Sequence, residues 1–132
     1  MAIFGIGAYY DEDVSQDFIK ANIIGVGWNS TDAPELHQFV RALKVGDIVY
    51  IKSYSPKSSD IIVKAIGLVA NDVIRTHNDT AGLVQIGRNV KWLRKTELRI
   101  TKPREKNNVR ANTMYEEFHP EVQAAILTEA AR

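Results

Sequence analysis

The hydrophobic pattern is strongest between residues 45 and 69, where two strand-like runs flank a polar segment. Residues 48–51 and 61–69 are rich in β-branched and aromatic side chains, which suit the pleated surface of a sheet. Residues 53–60 are rich in serine and contain one proline, which is typical of a loop. The pattern therefore predicts two central strands joined by a loop.

Weaker patterns predict elements on both sides of this pair. Apolar runs indicate further strands at residues 3–10, 23–28, 83–86, 88–93 and 97–101, and a polar loop is expected at residues 74–81. Helical spacing indicates three helices: a short one over residues 14–20, one with the stripe Leu36, Phe39, Val40 and Leu43, and one from Pro120. This order predicts a single α+β domain over residues 1–132. Closure of its sheet into a small mixed β-barrel with two or three flanking helices would remove the exposed edges.

Composition narrows the class of protein. The chain of 132 residues has no cysteine, which excludes disulfides and thiolate metal sites and fits a cytoplasmic protein. No apolar run is long enough to span a membrane, so no membrane partner is expected. Gly5 and Gly7 lack the third glycine of a dinucleotide fingerprint, and no cofactor is predicted.

Charge is unevenly distributed although the net charge is only +1. Residues 1–40 hold six acids and one base, whereas residues 88–110 hold nine bases and two acids, a local charge of +9 − 2 = +7. Such a segment is typical of a polyanion-binding surface, and a solvated charged face is the alternative. The candidate contacts to a nucleic-acid backbone in this segment are Arg88, Lys91, Arg94 and Lys95.

A helix followed by Gly46-Asp47, a strand, a polar loop and a strand containing Ala65-Ile66-Gly67 resembles the PUA-like superfamily. The EVE and YTH members of that superfamily read modified bases. The resemblance implies a small mixed β-barrel with helices on its outside, and it implies that Trp92 is a barrel core residue.

Residues 25–31, with Trp28 followed by small polar residues and a helix, look like the opening of the YTH aromatic cage. The resemblance implies that Trp28 stacks on a planar base and that Asn29 and Ser30 bond its edge. A Trp28 side chain that only caps the core is the alternative. The candidates for a second cage aromatic are Tyr9, Tyr10, Tyr54 and His77.

The end of the first central strand offers further candidate contacts. Ser53 and Tyr54 are expected at the mouth of a pocket, with Lys52 or Lys57 placed to meet a phosphate. An ordinary exposed strand end is the alternative reading of these residues.

Catalysis is weakly supported, because the chain has no thiol nucleophile and its three histidines are far apart in sequence. The Gly-x-Lys-x-x-Glu pattern of enzymatic ASCH relatives is also absent. The sequence favours a non-catalytic protein that recognises a modified base of DNA or RNA near Trp28, in surveillance of foreign or modified nucleic acid. An enzyme acting on modified nucleosides or nucleotides and a small-molecule or partner-binding module remain the alternatives.

Overall fold

A computed structural model describes residues 1–10, 12–53, 60–101 and 112–132 of the chain. Strands and helices are mixed along the sequence, so the predicted α+β class is confirmed. The described elements are β1 (Ile3–Gly7), α1 (Ser15–Ala21), β2 (Ile23–Val26), α2 (Pro34–Ala42), β3 (Ile48–Ser53), β4 (Ile61–Thr76), β5 (Ile86–Arg94), β6 (Leu98–Ile100), β7 (Met114–Glu116) and α3 (Pro120–Ala130).

Seven strands form one mixed sheet in the order β2-β5-β4-β3-β1-β7, with β6 paired to β4. β1 and β3 run parallel, while the other pairs of described strands are antiparallel. A parallel pair needs a long crossover, and α1, β2 and α2 provide it. β2 and β7 lie at the two ends of this order and do not pair among the described residues. These pairings therefore do not show the closure into a barrel that the sequence led us to expect.

Both faces of the sheet are buried, and β3 shows how. Ile48 and Tyr50 belong to a cluster that packs beneath α3, whereas Val49 and Ile51 belong to the larger cluster beneath α1 and α2. Successive side chains of a strand point to opposite faces, so a strand covered on both sides is apolar throughout. This explains why the runs predicted at residues 48–51 and 61–69 are hydrophobic except at Lys64.

Two element boundaries differ from the sequence prediction. β4 extends to Thr76, into the predicted loop, after a register irregularity between Val69 and Ile74. Residues 70–73 of β4 are exposed, so they do not continue the apolar pattern although the strand itself continues. The strand predicted at residues 83–86 is wrong except at its last residue, because β5 begins at Ile86 and continues through the run predicted at residues 88–93 to Arg94. β7 was not predicted, because three residues are too few to show a period.

Trp92 packs against the larger core cluster, as predicted. Its indole N–H donates to the carbonyl oxygen of Ile19 at 3.0 Å. The ring lies over Gly67 of the neighbouring strand, where an added Cβ would come within 2.9 Å of Cε3. Gly67 therefore leaves space for the Trp92 ring rather than for a ligand.

Candidate functional site

A cavity of about 880 Å³ opens where three strands end, and we name it the strand-end cavity. Its lining includes Gly7 at the end of β1, Gly27 directly after β2 and Ser53 at the end of β3. Backbone hydrogen bonds join the ends of β1 and β2 to other segments. The Gly7 N–H donates to the carbonyl oxygen of Thr113 at 2.8 Å, and the Gln85 N–H donates to the carbonyl oxygen of Val26 at 2.8 Å. The remaining lining residues are Ala8, Tyr9, Tyr10, Asp13, Ser15, Trp28, Lys52, Lys64, His77, Gly82, Leu83, Gln85, Asn112 and Thr113.

Aromatic side chains form one wall of the strand-end cavity. The side chains of Tyr9 and Trp28 are 71% and 54% exposed. Of the four residues predicted as possible second aromatics beside Trp28, Tyr9, Tyr10 and His77 line the cavity. Tyr54 lies outside the described residues. Large exposed rings beside a concave surface are characteristic of binding sites.

Tyr10 forms the inner part of this wall. Its ring packs edge-on against Phe18, with centroids 6.2 Å apart and planes at 63°. Its hydroxyl is buried and has no hydrogen-bond partner among the described residues. Burial raises the pKa of Tyr10 well above its ordinary value, so the hydroxyl keeps its proton and stays a donor.

The backbone at Trp28 is fixed by the turn that leads into α2. The Trp28 carbonyl oxygen lies 2.7 Å from His37 Nε2 of that helix. Asn29 Oδ1 accepts a hydrogen bond from the Asp32 N–H at 2.8 Å, which fixes the turn before α2. Asn29 and Ser30 do not line the cavity. The Asn29 side chain turns back onto its own chain, and the place of Asn29 and Ser30 at the edge of a base stays a prediction.

The charged side chains of the strand-end cavity are Asp13, Lys52 and Lys64, together with the titratable His77. Lys52 Nζ lies 5.5 Å from the centroid of the Tyr115 ring, and burial lowers the pKa of Lys52. Lys64 Nζ pairs with Glu97 Oε1 at 2.7 Å. The predicted contacts Lys52 and Ser53 therefore do line the cavity, whereas Lys57 lies outside the described residues.

Asp13 places a carboxylate in the same lining. Its Oδ1 accepts a hydrogen bond from the Ser15 N–H at 2.8 Å. Burial acts to raise the pKa of Asp13, but the hydrogen bonds from Ser15 and the charge of Lys64 outweigh it and lower that pKa. Asp13 is therefore ionised at neutral pH.

Arg88 is not a nucleic-acid contact, which corrects the sequence prediction. Its side chain is only 2% exposed. The guanidinium donates to the carbonyl oxygens of Val40 and Leu43 at the end of α2, and to that of Asn71 on β4. A cation is favourable at the carboxyl end of a helix, where carbonyl groups lack partners. Arg88 thus ties α2 to the sheet.

The other predicted backbone contacts of the basic segment, Lys91, Arg94 and Lys95, lie outside the cavity lining. Lys91 and Lys95 are exposed. Arg94 Nη1 pairs with Glu129 Oε2 of α3 at 3.0 Å. The basic residues between 102 and 110 lie outside the described residues. The exposed cations in the described part of this segment are therefore Lys91, Lys95 and Arg99.

Sequence reasoning missed several cavity residues: Asp13, Lys64, Gln85, Asn112 and Thr113. No local motif marks them, because they come from four separate parts of the chain that only the tertiary structure brings together. Gln85 and Thr113 directly precede β5 and β7, whereas Asp13 lies shortly before α1 and Lys64 lies within β4.

Among residues 1–10, 12–53, 60–101 and 112–132, no group of three or more metal-ligating side chains is found. In the same part of the chain, no helix has the length and apolar character needed to cross a membrane.

A family model described as a domain of unknown function (DUF8426) matches residues 29–117. The chain belongs to the DUF8426 family. The matched span contains β3 to β7, and with them Lys52, Ser53 and Lys64 of the cavity. The aromatic wall at Tyr9, Tyr10 and Trp28 comes before that span.

The chain is also similar to a solved structure, the NMR structure of Rpa0253 from Rhodopseudomonas palustris. The TM-score is 0.57 at 12% sequence identity, and the alignment covers 98% of this chain and 93% of that chain. This likeness concerns the fold alone. No curated protein matches the chain significantly.

Proposed function

We propose that the protein is a non-catalytic reader of nucleic acid that accepts one base, preferentially a modified one, in the strand-end cavity. One observation carries this proposal: two exposed aromatic rings, Tyr9 and Trp28, line a concave site that also contains the ammonium group of Lys52. Planar bases stack on such rings at a gain of about 1–3 kcal/mol each. A lysine on the same lining suits the phosphate that accompanies the base.

The polar lining supplies groups for reading the edge of a base. Ser53, Gln85, Asn112 and Thr113 offer both donors and acceptors to the cavity. These side chains take the role that the sequence assigned to Asn29 and Ser30. A base must leave its stack to reach them, which favours single-stranded or locally opened nucleic acid.

Lys91 and Lys95 are the exposed cations that we assign to the nucleic-acid backbone. A PUA-like barrel and surveillance of foreign or modified DNA or RNA belong to this proposal because of the sequence resemblance. A cytoplasmic location also belongs to it, because the chain has no cysteine. The near-neutral net charge of +1 means that affinity rests on this local surface rather than on long-range attraction.

The test is a binding screen of single-stranded and duplex oligonucleotides of one sequence, each with and without a methylated base, across a salt series. We expect saturable binding that weakens as salt rises and that is tightest for one modified single strand. Equal affinity for modified and unmodified strands would reject the preference for a modified base. Binding of no oligonucleotide, with tight binding of a free nucleotide, would support a small-molecule module instead.

An enzyme acting on modified nucleosides is the second candidate. Asp13, Lys52 and His77 line the same cavity and are titratable, which is the composition of many acid-base sites. Incubation with modified nucleosides and nucleotides, followed by chromatography of the products, separates the two functions. Turnover that Lys52→Met abolishes would favour the enzyme, and unchanged substrates would favour the reader.

A further inference from the structure

A second concave surface of about 530 Å³ adjoins the strand-end cavity, and we name it the acidic groove. It runs along the first turns of α2 and the residues before β7. Trp28, Asn112 and Thr113 line both sites, so the indole stands between them. The acidic groove is lined by Trp28, Asp32, Ala33, Glu35, Leu36, Phe39, Asn112, Thr113 and Met114.

The walls of the acidic groove are apolar and partly open to solvent. Trp28 and Phe39 are 54% and 37% exposed. The Phe39 ring is held by a perpendicular contact with Phe4, with centroids 6.0 Å apart and planes at 85°. Leu36 and Met114 add further apolar surface to the lining. Neighbouring exposed apolar side chains of this size are typical of interaction sites.

In the part of the acidic groove that the structure describes, the charge has one sign. Asp32 and Glu35 contribute two carboxylates, and no lysine or arginine is among its described lining residues. Neither carboxylate forms an ion pair with any other described residue. Two unpaired carboxylates repel a phosphate backbone and attract a cation. Nucleic acid is therefore an unfavourable occupant of this groove.

We infer that the acidic groove is a docking site for a segment of a protein partner that presents a lysine or arginine next to a large apolar side chain. The apolar side chain packs on Phe39 and Leu36, where it removes exposed surface from water. The cation lies near Asp32 and Glu35 and over the face of the Trp28 indole, which also attracts positive charge. This inference does not depend on base recognition in the strand-end cavity.

The experiment uses fluorescence polarisation with the full chain and three labelled octapeptides: alternating leucine and lysine, alternating leucine and glutamate, and alternating serine and lysine. We expect saturable binding of the leucine-lysine peptide and weak binding of the other two. A ¹H–¹⁵N spectrum titrated with the leucine-lysine peptide should shift the amides of Leu36 and Phe39 first.

Charge-neutral variants test the site directly. Asp32→Asn with Glu35→Gln keeps the shape of both side chains and should weaken the leucine-lysine peptide about two- to five-fold for each charge removed. The matched control is Glu121→Gln, because Glu121 follows Pro120 in α3 as Glu35 follows Pro34 in α2, and Glu121 lines neither site. The control should leave affinity unchanged.

Several results would overturn the inference. These are equal binding of the leucine-glutamate peptide, unchanged affinity in the double variant, or an equal decrease in affinity in Glu121→Gln. Dimerisation of the chain alone in sedimentation experiments, abolished by the double variant, would assign the groove to a second copy instead. The oligonucleotide screen tests only the strand-end cavity and the peptide titration tests only the acidic groove, so one proposal can be rejected without the other.

Discussion

The ring of Tyr10 lies directly against the backbone of Gly27, so that an added Cβ at Gly27 would fall 2.8 Å from Cε1 of that ring. Tyr10 follows β1 and Gly27 follows β2, and their contact closes the inner wall of the strand-end cavity. The shape of the cavity therefore depends on a residue with no side chain, directly before Trp28.

Gly27→Ala should displace the Tyr10 ring and cost on the order of 1–3 kcal/mol of unfolding free energy, the usual range for overpacking. Chemical denaturation measures this decrease. Gly7→Ala is the matched control, because an added Cβ there meets its nearest atoms at 3.8 Å, an ordinary contact. Similar denaturation midpoints for the two variants would show that the Tyr10 ring moves aside freely.

Trp28→Ala should cost roughly 1–3 kcal/mol of affinity for the best oligonucleotide, because it removes a stacking ring. Trp28→Phe should recover part of that affinity, since a smaller ring remains. The free energy of unfolding should change little, because the side chain is 54% exposed.

Trp92→Ala is the contrasting variant for this experiment. The Trp92 ring packs against the core, and its N–H donates a hydrogen bond to the Ile19 carbonyl oxygen. The Trp92→Ala substitution should therefore cost about 3–5 kcal/mol of unfolding free energy. Wild-type affinity in Trp28→Ala would remove the main support for a base-reading cavity.

Lys91→Ala with Lys95→Ala should weaken oligonucleotide binding equally across sequences. On duplex DNA, the slope of log affinity against log salt should fall by up to about 0.9 for each phosphate that the variant no longer neutralises. Lys20→Ala with Lys44→Ala removes two exposed lysines elsewhere and should leave the slope unchanged. An identical slope in both double variants would mean that residues 91–95 form only a solvated face.

Arg88→Met should destabilise the fold, because it leaves the carbonyl groups of Leu43 and Asn71 without the donor that Arg88 supplies, and the Val40 carbonyl with only the Leu43 N–H. The expected cost is about 1–3 kcal/mol for each buried carbonyl left unpaired. Thermal unfolding measures it, with the exposed Arg99→Met as the control, for which a change within about 0.5 kcal/mol is expected. Equal melting temperatures for the two variants would contradict the structural role of Arg88.

The sequence by itself determined the elements whose pattern is local. Helix α2 and the apolar runs of β3 and β4 follow from helical and strand periods, and the structure confirms these elements. The stripe predicted on α2 is buried at Val40 and Leu43, whereas Phe39 is 37% exposed. Trp28 was predicted to lie at a pocket, and it lines the strand-end cavity. Its ring lies beyond the end of β2, where no described strand packs over it.

The tertiary structure alone decided which charges face solvent and which residues meet. Arg88 and Lys91 share one strand and one basic segment, yet Arg88 is buried under the end of α2 and Lys91 is exposed. The sequence pattern of a strand shows that its side chains alternate between two faces of the sheet, but it does not show which element packs on each face. The strand-end cavity likewise joins Tyr10, Lys52 and Thr113, which are separated along the chain. Only the order of strand pairing brings such residues together, and that order is set by packing over the whole domain rather than by neighbouring residues.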